Sequence, residues 1–196
     1  AAGVRHVVYT SLTNPSVTSS VSIAPDHRLT EEALAASTVG FTVLRDNLYA
    51  DLLLGALPKA VADGALYTAR GAGRIGYVTR EDCARAAAAA LADGFDGRRT
   101  LDLTGPSSVS GDEIAAIASS IAGKPVAHVP VPPSAYREAL IGAGLPPAVA
   151  DLLVSFEVAA GNGELDLVST AIRDLTGRAP SSVAEFLEAN RTAVTG

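Results

Sequence analysis

Apolar and polar positions change period several times along the chain. Arg5–Ser11 is an almost unbroken run of β-branched and aromatic residues and reads as a buried strand, and Phe41–Arg45 reads the same way. Between them, Asp26–Ser37 carries apolar residues at helical spacing. Leu29, Ala33 and Leu34 are predicted to form its inward stripe, Arg28, Glu31 and Glu32 to face outward, and Asp26 to cap its start. A second helix is predicted from Leu48 to Asp63, with Pro58 as a potential kink. Strand alternating with helix implies a parallel α/β sheet. Ahead of the first strand, Ala1, Ala2 and Gly3 read as the last turn of a helix closed by a glycine.

Further on, Ala65–Thr68, Ile75–Val78, Thr100–Thr104 and Val126–Val131 are strand candidates separated by helices with strong start signals. Thr79 with Asp82, Ser110 with Glu113, and Ser182 with Glu185 each have the spacing of a capping box. The stretch YREALIGAGLPPAVADLLVSFEVAAGNGEL is rich in helix formers, interrupted at Gly144–Pro147 and again at Gly161–Gly163. A small, mainly helical lobe is expected there.

Composition narrows the range of functions. With 196 residues, 48% of them hydrophobic, the chain can bury a sizeable core, and its Gly and Pro lie between periodic segments instead of in tracts. A net charge of -6 and scattered Lys and Arg argue against nucleic acid as a ligand. The single cysteine, Cys83, precludes an internal disulfide, and no apolar run reaches the ~20 residues of a membrane span. No signal-peptide pattern is seen, so a cytoplasmic location is expected.

Several motifs are weak carriers of chemistry. Gly71, Gly73 and Gly76 spell GxGxxG, but a dinucleotide loop must follow a strand and open a helix, and here a strand-like RIGYV follows instead. A structural loop is the expected reading. His6, His27 and His128 are far apart without partners at ligand spacing, so no metal is expected. Cys83, on an alanine-rich helix, reads as a small buried residue. Ser11 and the group Arg45, Asp46, Asn47 and Tyr49 are more informative, because they stand at the carboxyl ends of adjacent parallel strands, where such folds bind ligands. Ser11 could equally be a turn residue that starts the loop after its strand, and the alternative for the second group is a solvated βα turn capped by Asp46 or Asn47.

The ordered blocks GVRHVVYTSL, PDHRLTEEAL, FTVLRDNLYADLLL and RIGYVTREDCARAAAAAL resemble the NmrA-like group of atypical short-chain dehydrogenases/reductases, with closest similarity to the bacterial type 2 NAD(P)H:quinone oxidoreductases. The resemblance extends over essentially the whole chain. It implies the C-terminal part of a Rossmann-type parallel sheet with a small mixed, mainly helical substrate lobe. Residues 1–104 would form the C-terminal part of the NAD(P)-binding Rossmann domain, with lobe insertions near 50–78. Residues 105–196 would form the substrate-binding lobe and C-terminal helices. In the family the strand carrying Tyr-Thr-Ser is about the fifth of the sheet, so βα units of roughly 30 residues each, the Gly-rich pyrophosphate loop among them, are expected before Ala1.

The same resemblance implies an NAD(P)H-dependent reductase that transfers hydride to a quinone or similar electrophilic carbonyl, with NADP or NAD as cofactor and NADPH favoured. Tyr9, Thr10, Ser11, His27, Asn47 and Tyr49 would bind the cofactor, Tyr49 would also wall the substrate, and His27 would be catalytic, standing where many of these enzymes keep a lysine. The tyrosine of the usual Tyr-x-x-x-Lys pair falls on Ile23, a departure that suits a quinone, which needs less acid assistance than a ketone. Asp46 and Asn47 depart from the family's Asn-Gly, and Arg45 is expected to be a structural anchor. The departures equally suit a non-catalytic NmrA-like redox sensor that binds a dinucleotide and signals to a protein partner. If the strand Arg5–Ser11 lies at a sheet edge, a homodimer is expected.

Overall fold

The run HVVYT is extended, as its β-branched and aromatic residues favour. The computed structural model describes residues 3–196, so the helical turn expected at Ala1 and Ala2 lies outside the described residues. Strand β1 (His6–Leu12) leads through a loop into helix α1 (Ala24–Ala36) and strand β2 (Gly40–Asp46). A 3-10 turn at Ala50–Leu52 runs directly into α2 (Leu53–Asp63), so the single helix expected from Leu48 begins in two steps. Pro58 lies inside α2, and Gly64 ends it in the left-handed conformation (φ 71°) that glycine adopts without penalty.

The chain continues through β3 (Ala65–Thr68), β4 (Arg74–Ile75), α3 (Arg80–Ala92), β5 (Arg98–Leu103), β6 (Val109–Ser110), α4 (Gly111–Ala122) and β7 (Ala127–Pro130). Helices α5 (Pro133–Gly142), α6 (Pro147–Gly161), α7 (Ala171–Thr176), α8 (Val183–Ala189) and α9 (Arg191–Thr195) complete it. The main sheet is parallel, in the order β1-β2-β5, with His6 opposite Gly40 and Phe41 opposite Arg98. Two small sheets join distant segments: β3 runs parallel to β7, and β4 antiparallel to β6.

Two apolar cores result. The larger lies among α2, α4, α6, α8 and α9, around Leu57, Ile114, Leu165 and Leu187. The smaller fills the space between the main sheet and helices α3 and α7, with Leu44, Val78, Cys83, Ala86, Leu103 and Ile172. Each fully buried Leu, Ile or Val contributes about 1.5–3 kcal/mol of burial.

Several local expectations are corrected. Helix α1 begins at Ile23 with no side-chain cap, not at Asp26, because Pro25 in its first turn needs no N–H partner. Its inward face is Ala24, His27 and Glu31, while Leu29 is exposed. The apolar stripe is overridden by the ion pair that Glu31 makes with Arg45. The expected strand Ile75–Val78 shortens to Arg74–Ile75, after which Val78 makes one bridge to Tyr49. Ser110–Glu113 and Ser182–Glu185 form full capping boxes. At Thr79 only half forms: its hydroxyl accepts the Asp82 N–H, but the Asp82 carboxylate turns to the Thr79 hydroxyl and to the N–H of Ser181.

The GxGxxG glycines form a structural loop. A methyl group at Gly73 would overlap the Ala160 carbonyl at the end of α6, and one at Gly76 would overlap that of Leu167. Close backbone packing requires glycine there, and neither opens a helix.

Candidate active site at the strand ends

Successive side chains of a strand point to opposite faces, and this alternation builds the site. From β1, Tyr9 and Ser11 reach α1 on one face, while Val8 packs with the smaller core beneath α3 on the other. From β2, Arg45 turns toward α1, and Leu44 and Asp46 toward α3. At the carboxyl ends of both strands lies a cavity of about 280 Å³. Its walls include Thr10, Ser11, His27, Asp46, Asn47 and Tyr49, with Ile23 and Phe156 adding apolar surface.

On the α1 side, the Tyr9 hydroxyl lies 2.8 Å from Nδ1 of His27. One helical turn on, Glu31 accepts from Ser11 Oγ at 2.6 Å and is gripped by Arg45 through Nε (3.0 Å) and Nη2 (2.5 Å). Burial works to raise the Glu31 pKa, but the Arg45 fork and the Ser11 hydroxyl outweigh it and hold the carboxylate below its usual range. Arg45 is thus the anchor expected at the strand end, with Glu31 as its partner.

On the α3 side, Tyr49 donates to Asp46 Oδ2 at 2.7 Å and carries the Arg80 guanidinium 4.8 Å above its ring. Burial and the adjacent carboxyl push the Tyr49 pKa up. Burial likewise raises that of Asp46, against the Tyr49 hydroxyl and the nearby Cys83 thiol. Asn47 is held at both ends of its amide: Nδ2 donates to the Leu165 carbonyl at 3.1 Å, and Oδ1 accepts the Leu48 N–H at 2.7 Å. It pins the loop before α7 to the end of β2.

The structure therefore brings Ser11, His27, Asn47, Tyr49 and Thr10 to one cavity, with Tyr9 behind His27. Three features of the site go beyond the expectations above. Glu31 was detectable from its i, i+4 spacing to His27, which puts both on one helix face. The burial of Asp46 against Cys83 and the entry of Phe156 from α6 depend on long-range packing. Among the described residues, no three His, Cys, Asp or Glu side chains converge as a metal site, and no helix is long and apolar enough to cross a membrane.

No family model matches the chain. Quinone oxidoreductase 2 of Escherichia coli (strain K12) is 33% identical to it over 185 residues, 94% of this chain and 64% of that protein. An NmrA-like family domain-containing oxidoreductase of Aspergillus flavus is 28% identical, over 97% of this chain and 64% of its own length. The solved NADPH-dependent quinone oxidoreductase of Escherichia coli superposes with a TM-score of 0.91 at 32% identity, covering 96% of this chain and 68% of that one. The chain belongs to the NmrA-like short-chain dehydrogenase/reductase family.

Within that family it stands close to quinone oxidoreductase 2 and spans about 64% of that relative's length. The triphenylmethane reductase of Citrobacter sp., solved with NADP(H), superposes with a TM-score of 0.88 at 30% identity over 96% of this chain and 66% of that one. The parallel order β1-β2-β5 is accordingly part of a Rossmann-type sheet.

Proposed function

We propose that the chain is the nicotinamide-side and substrate-side portion of an NADP(H)-dependent reductase whose acceptor is a quinone or similar electrophilic carbonyl. The observation that carries this reading is the Tyr9–His27 pair at a cavity on the carboxyl ends of parallel strands, where Rossmann-type sheets bind their ligands. The names of its relatives support it, since one reduces quinones with NADPH and another is an NAD(P)H azoreductase. A cavity of about 280 Å³ suits one or two ring systems, so these residues fit the nicotinamide end of such a cofactor.

The bound cofactor supplies the hydride. The chain's own residues orient and protonate. When the Tyr9 hydroxyl donates to Nδ1, the neutral imidazole carries its proton on Nε2, where it can serve the cavity as a donor. Thr10, exposed at the rim, offers a hydroxyl for the ribose, and Ser11 offers its lone pairs while donating to Glu31. Ile23 and Phe156 provide the apolar surface that a flat acceptor requires.

The test is steady-state oxidation of NADPH with a panel of quinones. Replacing His27 with Ala is expected to lower kcat about 100-fold, the scale of one positioned acid. An unchanged kcat would remove His27 from the mechanism. Tight NADPH binding without turnover of any acceptor would favour the dinucleotide-sensor reading instead.

A further inference from the structure

Asp46 is a buried acid without a counter-ion. It is 5% exposed at the end of β2; Oδ2 accepts from Tyr49, and Oδ1, itself buried, has no hydrogen-bond partner among the described residues. Its register partners on the flanking strands, Leu12 and Leu103, are apolar. From α3, the Cys83 thiol faces the carboxyl, and the charges of Asp51 and Asp82 lie around that thiol. The nearby cations are committed elsewhere: Arg80 stacks on Tyr49 and lies 4.0 Å from Asp51, and Arg85 pairs with Asp82 and Glu81. A carboxylate so placed is a buried charge with no cation paired to it, whereas a carboxylic acid is not.

We propose that Asp46 and Tyr49 form a proton-delivery pair for the cavity, with Asp46 a neutral carboxylic acid at pH 7 and Tyr49 the group that hands its proton to the reduced acceptor. The inference rests on the reductase reading and assigns that site a second acid, on the wall opposite His27. Both residues line the cavity, 2.7 Å apart. Hydride addition to a quinone brings two electrons and one hydrogen from NADPH, which becomes NADP+, and leaves an oxyanion on the product. The Tyr49 O–H bond breaks as an O–H bond forms on that oxyanion. In the neutral acid the proton sits on Oδ2 and the 2.7 Å bond is reversed, Asp46 donating to the Tyr49 oxygen while the Tyr49 O–H turns to the cavity. The Asp46 proton then moves to the Tyr49 oxygen as that oxygen loses its own, and the Asp46 carboxylate regains a proton from water before the next turnover. Burial raises the Asp46 pKa, the direction that favours its protonated form.

The deciding measurement is the Asp46 carboxyl carbon resonance, assigned by triple-resonance NMR in the intact chain and followed from about pH 4 to about pH 9. It is expected to remain in the protonated position at pH 7. A resonance that has fully titrated by about pH 5 overturns the proposal. In turnover, Asp46→Asn and Tyr49→Phe are each expected to lower kcat about 100-fold, and the double variant no further, because the two act in series. The wild-type rate should fall as pH rises through the Asp46 titration, and Asp46→Asn should not follow that fall. Wild-type kcat and pH profile in either single variant also overturn the pair. If the wild-type protein reduces no quinone, the reductase reading fails by itself, and the carboxyl titration still decides the state of Asp46.

Discussion

Glu31 joins three elements through one side chain. It sits on α1, receives the Ser11 hydroxyl from β1 and is held at both oxygens by Arg45 from β2. With its side chain 14% exposed and that of Arg45 30% exposed, the pair is sheltered enough to exceed an open surface ion pair. Glu31→Gln is expected to lower unfolding stability by about 1–2 kcal/mol at pH 7, since Arg45 keeps an acceptor but loses the charge. A carboxylate with a depressed pKa contributes stability above its unfolded pKa, and that contribution disappears as pH falls through the folded one. The difference between variant and wild type should therefore shrink toward pH 3. Urea denaturation at both pH values measures it, and an equal loss at each would show that charge is not what holds the three elements.

Helix α6 is docked by a different device. Glu157 projects from it into the core and accepts Arg70 at 2.5 and 3.1 Å and the N–H of Ala69 at 2.9 Å, while Arg70 also donates to the Tyr77 hydroxyl at 2.7 Å. Both charged side chains are about 5% exposed, so removing one leaves the other buried and unpaired. Glu157→Ala is expected to cost about 3–5 kcal/mol in denaturant unfolding, and the double replacement Arg70→Met with Glu157→Leu much less. A single variant that loses under about 1 kcal/mol would mean water reaches the pair. This docking also marks where sequence reasoning stops. The boxes at Ser110–Glu113 and Ser182–Glu185 were legible because both partners lie within one turn, and β1 and β2 because their runs are long and apolar. Glu157, the burial of Asp46 against Cys83 and the outward turn of Leu29 were not, since each answers to a partner on another element. The GxGxxG glycines were legible as a loop from their context, but their contact with the end of α6 was not.

The two cores meet at the cavity, so the stability of the entire chain and the state of its site respond to pH together. Six carboxylates, Glu31, Asp93, Glu113, Asp151, Glu164 and Glu185, are held below their ordinary range. Arginine partners do this for Asp93 and Asp151, and the N-cap backbone N–H groups of Ser110 and Ser182 do it for Glu113 and Glu185. In Glu31 and Glu164 burial opposes the shift and is outweighed by hydrogen bonds. Each contributes stability above its unfolded pKa and loses it on acidification, so unfolding free energy should fall steeply below about pH 4.5. Asp46 and Asp102 are displaced the other way by burial, so the folded state holds their protons more tightly than the unfolded chain does. Their effect has the opposite sign: stability declines as pH rises from the ordinary carboxylate range through their raised values. Maximum stability should therefore lie on the mildly acidic side of neutrality. Asp46→Asn and Asp102→Asn, which do not ionise, should each move the maximum toward neutral pH without changing the acid limb. Thermal unfolding between about pH 3 and about pH 8 tests this, and a maximum that stays in place in both variants would mean that neither acid holds its proton in the folded state.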